Sequence, residues 1–354
     1  MIKPKYLRWK DRPFFIRLFH WEYWPFEVVY FPVFFYYLWL SIRARTCWFF
    51  NAANPGIETG GMLGESKTPI LEMVPDEYKP KTISVHSGLT STEIYQRIQD
   101  ANMQYPLLCK PDRGERGLMV ERIEDAAALN SYIHSTRVPF LIQEFVDFPV
   151  ELGVLYYRLP TEKKGKVVSV VMKEFLSVTG DGKSTLCELI FRRQRAILQW
   201  KKLYEKFSSI WNDIIPAGKY ILLEPIGNHA RGTKFINGNQ LIDDRLHQVF
   251  DHITDQLSGV YYCRYDLKCN SIEELKEGKS IRIVEVNGVG SEPAHIYDPA
   301  YSIFSAWKDI IHLWGIIYQI AKENHKKGIA YMTTSEIIDQ WKLVKAYRKT
   351  TTHE

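Results

Sequence analysis

The chain has 354 residues, 45% hydrophobic and 25% charged, which suits a folded protein of two or three lobes and excludes a disordered chain or a small module. Its net charge of +5 sits entirely in the first 50 residues, where Lys3, Lys5, Arg8, Lys10, Arg12, Arg17, Arg43 and Arg45 outnumber Asp11, Glu22 and Glu27. The remainder is balanced, so nucleic acid is not an expected partner. Cys47, Cys109, Cys187, Cys263 and Cys269 form no C-x-x-C pair and read as reduced thiols of a cytoplasmic protein.

Residues 1–50 form an aromatic, basic arm that holds nineteen of the Phe, Trp and Tyr residues. Its uncharged run, residues 28–42, is shorter than the roughly 20 apolar residues of a spanning helix, and Pro32 is expected to interrupt it. The following Ser41-Ile-Arg-Ala-Arg45 lacks the small-residue pattern of a signal cleavage site. A spanning helix is the least favoured of three readings, and the other two are these. Residues 14–50 could make peripheral contact with the inner face of the cytoplasmic membrane, with rings at headgroup depth and basic residues on anionic lipid. Alternatively the arm is helical and packs on the enzyme body or on a second copy in a homo-oligomer.

Residues 51–80 read as a Gly-rich linker, with Gly56, Gly60, Gly61 and Gly64 ahead of Lys67; an anion cradle is the other reading. Short apolar runs then alternate with helical stretches, beginning with a helix over residues 92–101 capped by Ser91. A strand is expected to end at Lys110, with a turn over residues 111–117 carrying Gly114 and Gly117 and a return strand from Leu118. Such a hairpin is either an ordinary glycine turn or a phosphate clamp, in which backbone N–H groups approach phosphate oxygens and the lysine neutralises them. Next, Gln143 and Glu144 end an apolar strand and Glu151 opens another. That crossing can offer backbone groups to an adenine edge and a carboxylate to ribose, or Glu151 is a solvated edge residue.

Towards the carboxyl end, Arg264 and Asp266 lie two apart on one strand, as do Glu285 and Asn287 on another, so each pair shares a face. Adjacent strands would gather Asp266, Glu285 and Asn287 into an oxygen-donor set for Mg2+, with two ions bridging ATP phosphates and Mn2+ as a substitute. In the competing reading Arg264 compensates both carboxylates as a structural ion-pair network. Residues 300–322 show helical apolar spacing and residues 348–354 read as a frayed end.

The ordered set of Lys110 with its glycine turn, Gln143-Glu144, Glu151, Arg264-x-Asp266 and Glu285-x-Asn287 resembles the ATP-grasp superfamily, particularly its D-alanine–D-alanine ligase branch, over residues 67–300. The resemblance implies an α+β fold in which two α+β lobes clasp ATP, a small one over residues 81–145 and a large one with the metal site over 146–300. The helical arm precedes them and C-terminal helices follow over 301–354. It further implies that Lys110, Gly114 and Gly117 hold phosphates, that Glu144 and the Val146 backbone lie at adenine, that Glu151 binds ribose, and that Gln143 belongs to the same cofactor site. Asp266, Glu285 and Asn287 would hold the metal, Arg264 would stabilise an acyl phosphate or tetrahedral intermediate, and Lys67 matches an earlier ATP lysine. The stretch over residues 170–189 is similar to cyanophycin synthetase, with Lys173 on the nucleotide phosphates, and Asn228, Arg231 and Lys234 match an anion loop.

The implied activity is an ATP- and Mg2+-dependent ligase joining a small-molecule carboxylate to an amine or similar nucleophile through an acyl phosphate. Two departures bear on the substrate. The clamp turn lacks the serines of D-alanine–D-alanine ligases, and the arm has no counterpart to their substrate-binding lobe, so D-alanine dipeptide synthesis is not expected. In the loop after the metal strand, Ser291, Glu292 and His295 are either acceptor contacts or caps. Competing functions are a non-catalytic membrane-peripheral scaffold on the nucleotide fold and a phosphoryl-transfer enzyme without an amine acceptor.

Overall fold

The computed structural model describes residues 8–86, 88–114 and 117–351. Its class is α+β, with a helical amino-terminal arm, as the sequence led us to expect. The arm comprises α1 (Pro13–Phe19), whose first turn is opened by Pro13, and α2 (Phe26–Ala44), closed by a left-handed Arg45. Pro32, expected to interrupt the helix, is carried inside α2. One side of α2 buries Val29, Val33 and Leu40, at helical spacing, so packing supplies what the missing proline hydrogen bond does not. Lys3 and Lys5 lie outside the described residues.

After α3 (Lys67–Met73) come β1 (Thr82–Val85), α4 (Ser91–Asp100), β2 (Leu107–Pro111), β3 (Glu121–Ile123), α5 (Ala126–Ser135) and β4 (Phe140–Glu144). The four strands form an antiparallel sheet in the order β1-β4-β2-β3, and Ile94, Ile98, Leu129 and Tyr132 of the two helices pack against Leu107, Cys109 and Ile142. The cap of α4 is Thr90 rather than Ser91, because Thr90 and Glu93 satisfy each other's backbone N–H groups in a capping box. The return strand starts three residues later than expected, at Glu121, with left-handed Gly117 and Met119 lengthening the turn. Glu115 and Arg116 of that turn lie outside the described residues.

The second lobe contains β5 (Val150–Tyr157), β6 (Lys166–Glu174), β7 (Ser177–Thr179), α6 (Leu186–Phe191), α7 (Gln194–Lys206), β8 (Tyr220–Leu222), β9 (Lys234–Asn237), α8 (Asp244–Thr254), β10 (Tyr262–Cys269), α9 (Ile272–Lys276) and β11 (Ile281–Asn287). Its antiparallel sheet has the order β11-β10-β5-β6-β9, and β7 with β8 makes a small ribbon beside α6 and α7. Phe250 and Ile253 of α8 cover one face of the large sheet through Tyr156, Val170 and Tyr265. Finally α10 (Ile303–Lys326) supplies the expected packing helix, burying Ile310 and Ile317, and α11 (Thr334–Thr351) is helical through most of the end read as frayed; residues 352–354 lie outside the described residues.

Residues 51–66, read as a linker, are instead a packed seam. Asn54 is fully buried, accepts from the Tyr261 and Tyr262 N–H groups (both 2.9 Å) and donates to the Gly60 (3.1 Å) and Tyr262 (2.7 Å) carbonyls. The glycines allow two backbones to touch: a Cβ on Gly61, whose φ is +80°, would fall 2.5 Å from Gly288 Cα. Val289 and Gly290 donate to the Gly60 and Gly61 carbonyls across this contact. Because Asn54→Ala strips the Tyr261 and Tyr262 N–H groups and the Tyr262 carbonyl of this partner, while the Gly60 carbonyl keeps Val289, it should lower stability by about 3 kcal/mol in a urea melt.

Candidate active site

Strands β10 and β11 run antiparallel with Asp266 directly opposite Glu285 and Arg264 opposite Asn287. The alternation that puts residues 264 and 266 on one face also puts Lys268 there, and on the other side of β10 the partners of Asp266 and Lys268 are Gly153 and Glu151 of β5. From the next strand, Lys173 of β6 reaches in, its Nζ lying 2.9 Å from Glu151 Oε1 and 3.5 Å from Asp266 Oδ1. Arg264 Nη2 lies 3.0 Å from Asp266 Oδ2, and Asn287 Nδ2 donates to the same oxygen at 3.0 Å. Arg264 Nε is buried and has no partner among the described residues.

The small lobe adds Lys110, one residue before the end of β2, which donates from Nζ to Gln143 Oε1 (3.2 Å) and to the Val284 carbonyl (2.7 Å), next to Glu285. Lys67, at the start of α3, donates to the Gly114 carbonyl at 2.7 Å and stands 3.7 Å from Glu285 Oε1. Its position is fixed by Asp112, which accepts from Ser66 Oγ (2.6 Å), Thr68 N (3.0 Å) and Thr68 Oγ1 (2.7 Å) and so caps α3 from across the turn. Arg231 reaches the same turn from the large lobe, donating to the Gly117 carbonyl at 2.5 Å. Four of the expected cations, Lys67, Lys110, Lys173 and Arg264, thus surround the Asp266–Glu285 pair, and Arg231 ties the glycine turn.

Two of these lysines have opposite electrostatics. Burial depresses the Lys110 ammonium to about 8, since its direct partners are neutral oxygens, Lys67 repels it, and the Glu285 and Asp266 charges only partly compensate. Burial also disfavours charge on Lys173, but the Asp266 and Glu151 carboxylates outweigh it and raise the group above the ordinary lysine value. For Asp266, burial pushes the carboxyl up, and the Arg264 and Lys173 charges win, holding it below the usual aspartate range.

Several expected contacts are engaged within the protein. Gln143 is buried between Lys110 and Thr82 Oγ1, to which it donates at 3.0 Å. Glu144 turns to the sheet edge and accepts from Lys81 N at 3.4 Å. The Val146 carbonyl, expected at adenine, accepts from Lys268 Nζ at 2.9 Å, and Glu151, expected at ribose, lies between Lys173 and Lys268 (3.9 Å). Gly227 makes room for that carboxylate, because a Cβ there would fall 2.3 Å from Glu151 Oε1. Gly227→Ala should therefore displace the Glu151–Lys173 pair and lower the melting temperature by a few degrees, measurable by calorimetry.

The acceptor-side candidates are occupied too. Ser291 Oγ donates to the Gly288 carbonyl at 2.6 Å, Glu292 accepts from the Tyr30 and Tyr297 hydroxyls, and His295 bridges Ser169 Oγ (2.7 Å) and Asp309 Oδ2 (3.1 Å). Asn228 caps its own loop through Ala230 N, Lys234 stands 3.6 Å from Glu174, and His229 lies 2.9 Å from Glu22 of the arm, which also pairs with Arg195 at 2.5 Å. Sequence reasoning missed Asp112, Lys268 and Glu22. Only Lys268 had a signal, the 264-266-268 alternation.

Mg2+ uses one or two carboxylates with further neutral, water and phosphate oxygens in octahedral geometry. Asp266 and Glu285 facing each other across a strand pair, with Asn287 donating through Nδ2 and leaving its amide oxygen as a ligand atom, fit that requirement. Among the described residues no three His, Cys, Asp or Glu side chains form a metal cluster, so a cation here would rely on two carboxylates, the amide and nucleotide oxygens.

No protein-family model matches the chain. It is 23% identical over 216 residues to the glutathione biosynthesis bifunctional protein GshAB of Streptococcus mutans, a match covering 54% of this chain and 28% of that protein. Less than a third of that relative's length is therefore spanned. Among solved structures it aligns with a bifunctional glutathione synthetase from Pasteurella multocida (TM-score 0.40, 16% identity, 70% of this chain and 36% of that one). It also aligns with D-alanine–D-alanine ligase from Bacillus anthracis (TM-score 0.42, 13% identity, 75% and 69%). What the chain is similar to, then, is enzymes of glutathione biosynthesis and of D-alanine–D-alanine ligation.

Proposed function

We propose that this chain is an ATP-grasp ligase that activates a small-molecule carboxylate with ATP and passes it to an amine or similar nucleophile. The observation that carries this reading is the Asp266–Glu285 pair ringed by Lys67, Lys110, Lys173 and Arg264. Two carboxylates facing several cations from different elements form a preorganised site for a polyanion with its divalent counter-ion. A purely structural network would need only Arg264 and Lys173 to balance Asp266, and would leave Lys110 buried against neutral partners for no return.

In this reading Lys110 and Lys67 hold β- and γ-phosphate oxygens beside the glycine turn, and Arg231 fixes that turn from the opposite lobe. Mg2+, held as one or two ions by Asp266, Glu285 and Asn287, supplies Lewis-acid neutralisation of phosphate charge. Lys173 orients Asp266 and Glu151, and on nucleotide entry Lys268 gives up Val146 and Glu151 to adenine and ribose. Arg264, whose Nε has no partner among the described residues, would donate to an oxygen of the acyl phosphate and of the tetrahedral adduct that follows.

The test is ADP release screened against pooled amino acids and lipid acids, with hydroxylamine added. A ligase of this type forms a hydroxamate only when both ATP and the right carboxylate are present. Carboxylate-dependent ADP release without hydroxamate, or phosphorylation of a hydroxyl substrate, would assign the site to phosphoryl transfer instead.

A further inference from the structure

The arm has two faces, and only one is accounted for by the enzyme body. Inward, α2 lays Val33 against Ile296 and Ile310, Tyr37 against Trp314, and Tyr30 on Glu292; Trp307 of α10 donates from its indole N–H to the Val29 carbonyl at 2.8 Å. Outward, Val28, Phe31, Phe35, Leu38, Trp39 and Ile42 are each between 44% and 70% exposed, spread over about four turns of the helix. Before it, α1 exposes Phe14, Leu18 and Phe19, and beside it the start of α10 exposes Phe304. An apolar surface this continuous is rare on a soluble monomer unless something covers it.

What covers it is indicated by charge and by depth. Within the described part of the arm, residues 8–50, Lys10, Arg12, Arg17, Arg43 and Arg45 are exposed, against a single exposed acid, Glu27, because Asp11 is buried and paired with Arg8 and the Glu22 side chain is buried against Arg195 and His229. A second copy docking through the same face would bring two like-charged rims together. An anionic bilayer supplies the opposite charge to the rim and an acyl layer to the rings. None of the described helices is long and apolar enough to cross a membrane, and the inner side of α2 is already held by the body, so only the outer side is available to the lipid.

We propose that the outer face of α2, with the exposed side chains of α1, is an interfacial docking surface for anionic phospholipid, lying in the plane of the membrane with its aromatic and aliphatic side chains at the headgroup–acyl boundary. This does not depend on the ligase reading. The full chain should sediment with vesicles of phosphatidylcholine containing about one-third phosphatidylglycerol, and roughly tenfold or more weaker with phosphatidylcholine alone or in about 1 M salt. Phe31→Ser/Phe35→Ser/Leu38→Ser should lose binding at least tenfold with an unchanged circular dichroism melt, since all three side chains point outward. Arg12→Gln/Arg17→Gln, which alters no apolar contact, should weaken binding roughly tenfold and keeps the test decisive should the triple variant misfold. Wild-type protein that stays in the supernatant with anionic vesicles, or a concentration-dependent dimer that the triple variant abolishes in their absence, would overturn the proposal.

Discussion

Glu285→Gln should abolish ATP turnover, by about a thousandfold or more, while leaving the melting temperature within a few degrees of wild type. The two halves of that expectation come from different features. Glu285 faces Asp266 across the strand pair, so its carboxylate is half of the negative charge available to a cation there. Yet its side chain is one-third exposed and its nearest cation, Lys67, is 3.7 Å away, so its removal breaks no tight buried pair. Asp266→Asn should match the loss of turnover but not the stability. Among the described residues it removes the one carboxylate within ion-pair distance of Arg264 and one of the two beside Lys173, and a buried charge left without its partner typically costs about 3–5 kcal/mol. Activity assays paired with thermal melts separate the two variants. Full turnover in Glu285→Gln would remove the metal assignment outright.

Lys110 should impose an alkaline limit on nucleotide binding. With its ammonium depressed to about 8 by burial, the free enzyme loses this phosphate-facing charge as pH rises through 8, and kcat/KM for ATP should fall there. Stability moves the opposite way. Below pH 8 both folded and unfolded chains carry the proton; between about 8 and the ordinary lysine value of 10.5 only the unfolded chain keeps it, so this group's contribution to stability rises across that window. Lys110→Met keeps the stem and removes the charge. It should raise KM for ATP about a hundredfold and erase the limit near pH 8, with little change in melting temperature, because the lost hydrogen bonds to Gln143 and Val284 are offset by the lost cost of a buried cation. A pH profile in which wild type and Lys110→Met fall together would contradict this.

The strands carrying the site were legible because a period of two fixes which residues share a face, and 264/266 and 285/287 need only be neighbours to converge. The seam over residues 51–66 was not legible. Glycine and asparagine clusters signal loops, and nothing local says that Asn54 will be buried against Tyr262, some two hundred residues away. The same limit hid the second partners of Glu144, Val146 and Glu151, since Lys81 and Lys268 reach them across strand pairs whose register is a tertiary property. For the arm, composition announced an apolar surface but not its division. Helical spacing fixed which residues lie together, and only packing against α10 decided which side faces inward.

Crystals grown with Mn2+ and ADP, read by anomalous scattering, would show whether a divalent cation sits between Asp266 and Glu285. A manganese peak is expected within about 2.2 Å of oxygens from Asp266, Glu285 and Asn287 and from the diphosphate, with Lys110 on the same phosphate. Nucleotide bound at the glycine turn with manganese elsewhere, or with Asp266 still locked to Arg264 and Lys173 and no metal beside it, would contradict it.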